Sequence, residues 1–127
     1  MKHSLFAILF FIIACSSAST IHLGEQDAGR STVAHLNDII AISLNGNATT
    51  GYGWNFSSSD ASAFHIVADS YKPNVHPKGM VGGGGHHIYE IMPLKTGVFH
   101  ITARYYRSWE SFDPQKNKEL KFIIEVK

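Results

Sequence analysis

Cysteine is almost absent from this 127-residue chain, which holds only Cys15. A single thiol rules out an intramolecular disulfide and a zinc centre built on cysteines. A surplus of one charge is missing too: 11 Lys and Arg stand against 10 Asp and Glu, with no basic cluster. That balance excludes nucleic acid as a partner. No apolar run after residue 20 is long enough to cross a bilayer, so the mature form has no membrane span. Catalytic signatures are lacking as well. There is no Gly-x-Ser-x-Gly elbow and no carboxylate pair at acid–base spacing, so the chain is read as not an enzyme and as needing no cofactor. The run Gly82-Gly83-Gly84-Gly85 is followed by neither Gly-Lys-Ser/Thr nor a helix, which excludes a phosphate cradle. The eight histidines lack a spacing that converges on one ion, so no metal is expected. His86 and His87 are adjacent and would point to opposite faces of a strand. His86, beside the glycines, is a candidate to gain charge in an acidic compartment.

The N-terminus has its own pattern. Lys2 and His3 precede an apolar run from Leu5 to Ala14, and small residues succeed it from Cys15 to Ser19. This is the layout of a secretory signal peptide. Ser16 and Ala18 are small at the two positions a signal peptidase reads. Residues 1–18 are therefore assigned to a leader and residues 19–127 to one domain. Two alternatives are a buried N-terminal helix and a bacterial lipoprotein signal, Ile12-Ile13-Ala14-Cys15, lipidated on Cys15. The leader implies the secretory pathway, ending outside the cell or in lysosome-like or phagosomal vesicles. The final Ile-Glu-Val-Lys carries no retention signal.

Beyond the leader, apolar and polar residues alternate in successive segments. Ile40, Ile42 and Leu44 share one strand face. Phe99, Ile101, Ala103 and Tyr105 share another, with His100, Thr102 and Arg104 opposite. Leu120, Phe122, Ile124 and Val126 point inward against Lys121, Glu125 and Lys127. Period-two alternation marks half-buried antiparallel strands. Further strands are expected over residues 21–24, 31–36, 53–57, 64–71 and 87–92. The fold class is all-β: an immunoglobulin-like antiparallel β-sandwich of about seven to eight strands without a disulfide. Trp54 is placed like the buried tryptophan of such a sandwich.

Three connections interrupt this frame: residues 45–52, 72–86 and 106–118. In an immunoglobulin-like order they would join the second and third, the fourth and fifth, and the last two strands. The first and third then share one end, and the long middle loop can reach it. Trp109 and Arg107 are residue types common at binding hot spots. Thr49 and Thr50 are stiff at χ1, and a stiff loop loses less entropy on binding.

Together the loops resemble those of the chagasin-type inhibitors of papain-like cysteine peptidases, over residues 20 to 127. The family's first loop, Asn-Pro-Thr-Thr-Gly-Tyr/Phe-x-Trp, is similar to Asn47-Ala48-Thr49-Thr50-Gly51-Tyr52-Gly53-Trp54. Its Gly-x-Gly-Gly is matched by Gly82 to Gly85, and its Arg-Pro-Trp by Arg107-Ser108-Trp109. The resemblance implies a reversible, noncovalent and competitive inhibitor whose three loops fill the peptidase cleft. Thr49 and Thr50 would sit nearest the enzyme's catalytic Cys-His pair, Asn47 would be among the peptidase-binding residues, and Gly51 would shape that turn. The backbone of Val81, Gly82, Gly83 and Gly84 would run along the substrate-binding side. Arg107 and Trp109 would grip the opposite side. Tyr52 and Trp54 would brace the first loop from within. The partner implied is a papain-like peptidase, met by a monomeric inhibitor.

Two departures carry consequences. Ala48 replaces the family's proline, which frees a backbone torsion and creates a glycosylation sequon on Asn47. Asn55-Phe56-Ser57 is a second sequon. Ser108 replaces the proline before Trp109, so the third loop is expected to be less preorganised. A glycan on Asn47 would sit at the loop tip, so Asn47 is expected to be largely unmodified. The rival reading is a secreted adhesion or carbohydrate-binding module in which Tyr106, Trp109 and Phe112 stack on sugars.

Overall fold

The computed structural model describes residues 8, 9, 12, 17–75 and 83–127. Within them the chain forms eight strands: β1 (Thr20–Leu23), β2 (Ser31–Ala34), β3 (Ile39–Gly46), β4 (Tyr52–Ser58), β5 (Phe64–Pro73), β6 (Gly85–Pro93), β7 (Gly97–Arg107) and β8 (Lys118–Val126). They build two four-stranded sheets in the orders β1-β3-β6-β5 and β2-β8-β7-β4. Their inner faces enclose Leu44, Ile42, Ile91, Ile101, Phe122 and Ile124, which are almost wholly removed from water. These are alternate residues of β3, β6, β7 and β8, so the period-two pattern places them on one face of each sheet. Phe64 and Phe99 cross edge to face at 5.4 Å between the sheets.

The antiparallel expectation holds for β3–β6, β5–β6, β4–β7 and β7–β8. The two N-terminal strands differ: β1 pairs with β3, and β2 with β8, in parallel. The cause is a split at the chain's start. After β1 a 3-10 turn at Glu25–Asp27 and Gly29, at φ 80°, carry the chain from one sheet to the other. This extra strand also shifts the numbering of the loops, which join β3 to β4, β5 to β6 and β7 to β8.

All three loops emerge at the same end. Gly46 on β3 lies opposite Gly85 on β6, which also faces Pro73 on β5. In the other sheet Tyr52 faces Arg107 where β4 begins and β7 ends. Strands β5 and β6 extend further than the sequence suggests, so the middle connection is confined to residues 74–84.

Candidate functional site

The first loop is a single 3-10 turn, Ala48–Thr50, closed at both ends. Asn47 caps it, its Oδ1 accepting from the Thr49 backbone N–H at 3.1 Å and from the Thr49 hydroxyl. The Thr50 hydroxyl donates to the Asn47 carbonyl at 2.7 Å. Gly51 ends the turn in the left-handed conformation at φ 81°, and its N–H donates to the Ala48 carbonyl. A cap of this kind restores the order expected to be lost with proline at position 48. Ala48 also keeps an N–H, which approaches the Tyr71 hydroxyl at 3.5 Å.

Beneath this turn stands an aromatic support. The buried indole of Trp54 donates from Nε1 to the Asn45 carbonyl at 2.9 Å. Tyr105 packs between Tyr52 and Trp54, with ring centroids 5.3 and 4.8 Å away. Its hydroxyl accepts from the Asn47 N–H at 3.0 Å. The two tyrosines, Tyr105 and Tyr71, thus hold the first loop from opposite sheets. Neither is marked as a loop support by the sequence motifs. The available signal is an aromatic at a strand end in register with a loop root.

The third loop is fastened to the first. Arg107 donates from Nε to the Thr50 carbonyl at 3.1 Å, and its guanidinium lies 4.6 Å over the Tyr52 ring. Glu110 N–H returns to the Arg107 carbonyl at 3.0 Å, closing a turn with Ser108 and Trp109 at its centre. Trp109 is 69% exposed, yet its ring covers Gly51 so closely that a Cβ there would stand 2.2 Å from it. Arg107 is therefore occupied in joining two loops, and Trp109 presents its outer side.

Of the second loop, Val81 and Gly82 lie outside the described residues. Gly83 and Gly84 lead into β6, where Gly84 accepts from the Asn74 N–H at 3.0 Å. A Cβ on Gly84 would meet the Gly46 carbonyl at 3.4 Å, so these two loop roots adjoin. Gly85 is under the Tyr71 ring, and a Cβ would fall 2.5 Å from the hydroxyl and 2.4 Å from the Lys72 carbonyl. The last glycine of the run thus has a packing role that its sequence motif does not reveal.

His86 and His87 do point apart. His86 is exposed, whereas His87 turns inward beside Phe56 and pairs with Asp69. Among the described residues no three His, Cys, Asp or Glu converge as a metal site. Tyr106 and Phe112 meet edge to face at 5.6 Å, and Arg104 lies 4.5 Å over the Phe112 ring. The two rings thus face one another edge-on and do not lie flat side by side. Asn55 is exposed on β4, below the loops.

The cap gives a direct prediction. Asn47→Ala should lower stability by about 1 kcal/mol through loss of the turn's acceptor. Asn47→Asp keeps an acceptor oxygen and should melt close to the parent. Thermal unfolding of the pair checks this; equal loss in both variants would mean the cap contributes nothing.

A sandwich that presents a first and a third loop fastened to one another, with the root of the second beside them, defines a binding protein that works by loop display rather than by catalysis. The chain belongs to the chagasin family: residues 33–126 match the model of the chagasin family peptidase inhibitor I42. It is 35% identical over 104 residues to amoebiasin-2 of Entamoeba histolytica, covering 80% of this chain and 84% of that protein. It is also similar to the crystal structure of the cysteine protease inhibitor EhICP2 from Entamoeba histolytica. That likeness has a TM-score of 0.77 at 30% identity, over 87% of this chain and 97% of the other.

Proposed function

We propose that this protein is a reversible, noncovalent inhibitor of papain-like cysteine peptidases, and that its three loops occlude the active-site cleft. The observation that carries the reading is the closed Asn47–Gly51 turn, bound to Arg107 and covered by Trp109. A peptidase cleaves chain that lies extended in its cleft. A capped 3-10 turn offers no extended scissile segment, so it can plug the site without becoming a substrate. Thr49 and Thr50 would approach the catalytic Cys-His pair. Val81 to Gly84 would line the substrate side, and Arg107 and Trp109 the opposite side. Preorganisation favours this use, because a loop already fixed loses little entropy on docking.

The loop departures bear on affinity rather than on mode. The leader reading places the mature domain, residues 19–127, in the secretory pathway. Export and delivery to lysosome-like vesicles both bring it to papain-like enzymes. Asn47 is expected to be unglycosylated in active material, which intact-mass measurement can establish. Full occupancy with inhibition retained would mean that the turn does not enter the cleft.

The test is a titration of papain with the unglycosylated mature domain. Activity should fall competitively and return on dilution. Absence of inhibition at micromolar concentration would remove the proposal. Thr49→Asp should weaken inhibition by at least about 2 kcal/mol, roughly 30-fold, because it carries an unpaired charge into the cleft. A sugar-binding surface would be indifferent to that change, and glycan binding that depends on Trp109 alone would favour the rival.

A further inference from the structure

At the end of the sandwich away from the three loops, Asp38 is the buried charged residue of the described chain, 5% exposed. Its Oδ1 accepts from the Ser19 backbone N–H at 3.1 Å and from the Ser19 hydroxyl at 3.3 Å. Its Oδ2 accepts from the His35 N–H at 2.9 Å. These donors, the His35 N–H first and the Ser19 N–H second, hold the carboxyl below the ordinary aspartate range against the opposing effect of burial. The carboxylate is therefore ionised, and the backbone groups that face it are neutral. Ser19 is also where the chain becomes tied to the sandwich: its carbonyl accepts from the Ile39 N–H at 2.8 Å, and β1 begins at the next residue. Ser17 and Ala18, before it, are exposed.

We propose that Asp38 is the receiving site for the α-ammonium group of Ser19, set free by signal-peptidase cleavage after Ala18. The inference rests on the leader reading, with its cut after Ala18, and adds to it a structural role for the new terminus. Hydrolysis of the Ala18–Ser19 peptide bond consumes one water, leaves a carboxylate on Ala18 and leaves an ammonium on Ser19. The nitrogen already stands at hydrogen-bond distance from Oδ1, so the cut turns a neutral donor into a charged one without moving it. Charge-assisted bonds are roughly twice as strong as neutral ones. A cut after Ser17 would put the ammonium on exposed Ala18. A cut after Ser19 would discard both donors to Oδ1 and the carbonyl that Ile39 uses. Of the small-residue cuts available, only the one after Ala18 completes the Asp38 site.

An ammonium held by a carboxylate has its pKa raised above the usual ~7.7–8.0 of an α-amine. Its contribution to stability is complete below that usual value and is lost as pH rises through the folded-state value. Among the described residues, His35, whose Nδ1 lies 3.7 Å from Oδ2, and Lys127, which lines the same pocket, are the other titratable side chains facing Asp38. Both are present whatever the chain's first residue, so chains that differ only at the terminus report the terminus.

The experiment compares the domain beginning at Ser19 with the same domain acetylated on its α-amine and with one extended by Gly-Ser. At pH 6.5 the free Ser19 chain should melt about 4–8 °C above both others, the shift expected for a modest ion pair in a domain of this size. The gap should close by pH 10, and Asp38→Asn should abolish it. Equal melting of the three chains at pH 6.5 would overturn the proposal, even if Asp38→Asn fails to fold. Mass spectrometry of exported protein should find Ser19 first. A different first residue would overturn the cleavage point, and an uncut chain would overturn the leader reading beneath it. Papain inhibition should be equal in all three chains, which separates failure here from failure of the inhibitor reading.

Discussion

Gly51→Ala is expected to weaken papain inhibition by roughly 30- to 1,000-fold while leaving the domain folded. The left-handed conformation at position 51 costs a non-glycine residue about 1–2 kcal/mol. The larger effect comes from Trp109. The added methyl would lie 2.2 Å from its ring, and backbone fixes that methyl's position. The indole must swing away, which an exposed side chain can do at little cost to stability. What is lost is its placement, and a tryptophan at the centre of an interface can carry about 2–4 kcal/mol. Trp109→Ala alone should fall in the same range. The double variant should lose much less than the sum, because without the indole only the backbone strain remains. Measured inhibition constants for the four proteins decide the matter. Additive losses would show that Gly51 and Trp109 act separately.

Trp54→Ala should remove about 3–5 kcal/mol of folding stability, a large part of the roughly 5–15 kcal/mol that a domain possesses. The residue is buried, packs against Tyr105 and Gly46, and bonds the Asn45 carbonyl. Trp54→Phe separates the contributions. It keeps an aromatic ring but leaves that carbonyl without its donor, at a cost of about 1–3 kcal/mol. Urea unfolding should rank the parent above Phe and Phe above Ala. The Phe variant should also inhibit less well than its remaining stability suggests, because Asn45 is the root of the first loop. If Phe and Ala variants unfold at the same urea concentration, packing around the indole is not what stabilises this region.

Most of the framework was legible because alternation is a direct record of burial. Ile40, Ile42 and Leu44 on β3, and Phe122, Ile124 and Val126 on β8, are buried as their spacing requires. The parallel pairing of β1 with β3 and of β2 with β8 was not legible. Short strands of four residues carry too few alternations to fix a partner, and direction depends on where the linking turn sends the chain. The loop residues were legible through family resemblance, but their mutual contacts were not. That Arg107 reaches the Thr50 carbonyl, or that Tyr71 lies across Gly85, depends on strand register over long separations. Asn47 was visible as a sequon. Its capping role required the turn itself to be seen.

The ends of the first loop lie in different sheets, on β3 and β4, whereas the third returns within one sheet, from β7 to β8, and the second likewise, from β5 to β6. A small slip of one sheet over the other would therefore change the span that Asn47 to Gly51 must bridge. Residues far away in the core, such as Phe122, set that slip through their volume. A change of core volume there is thus expected to alter the aperture of the tip, even though it touches none of the residues between Gly46 and Tyr52.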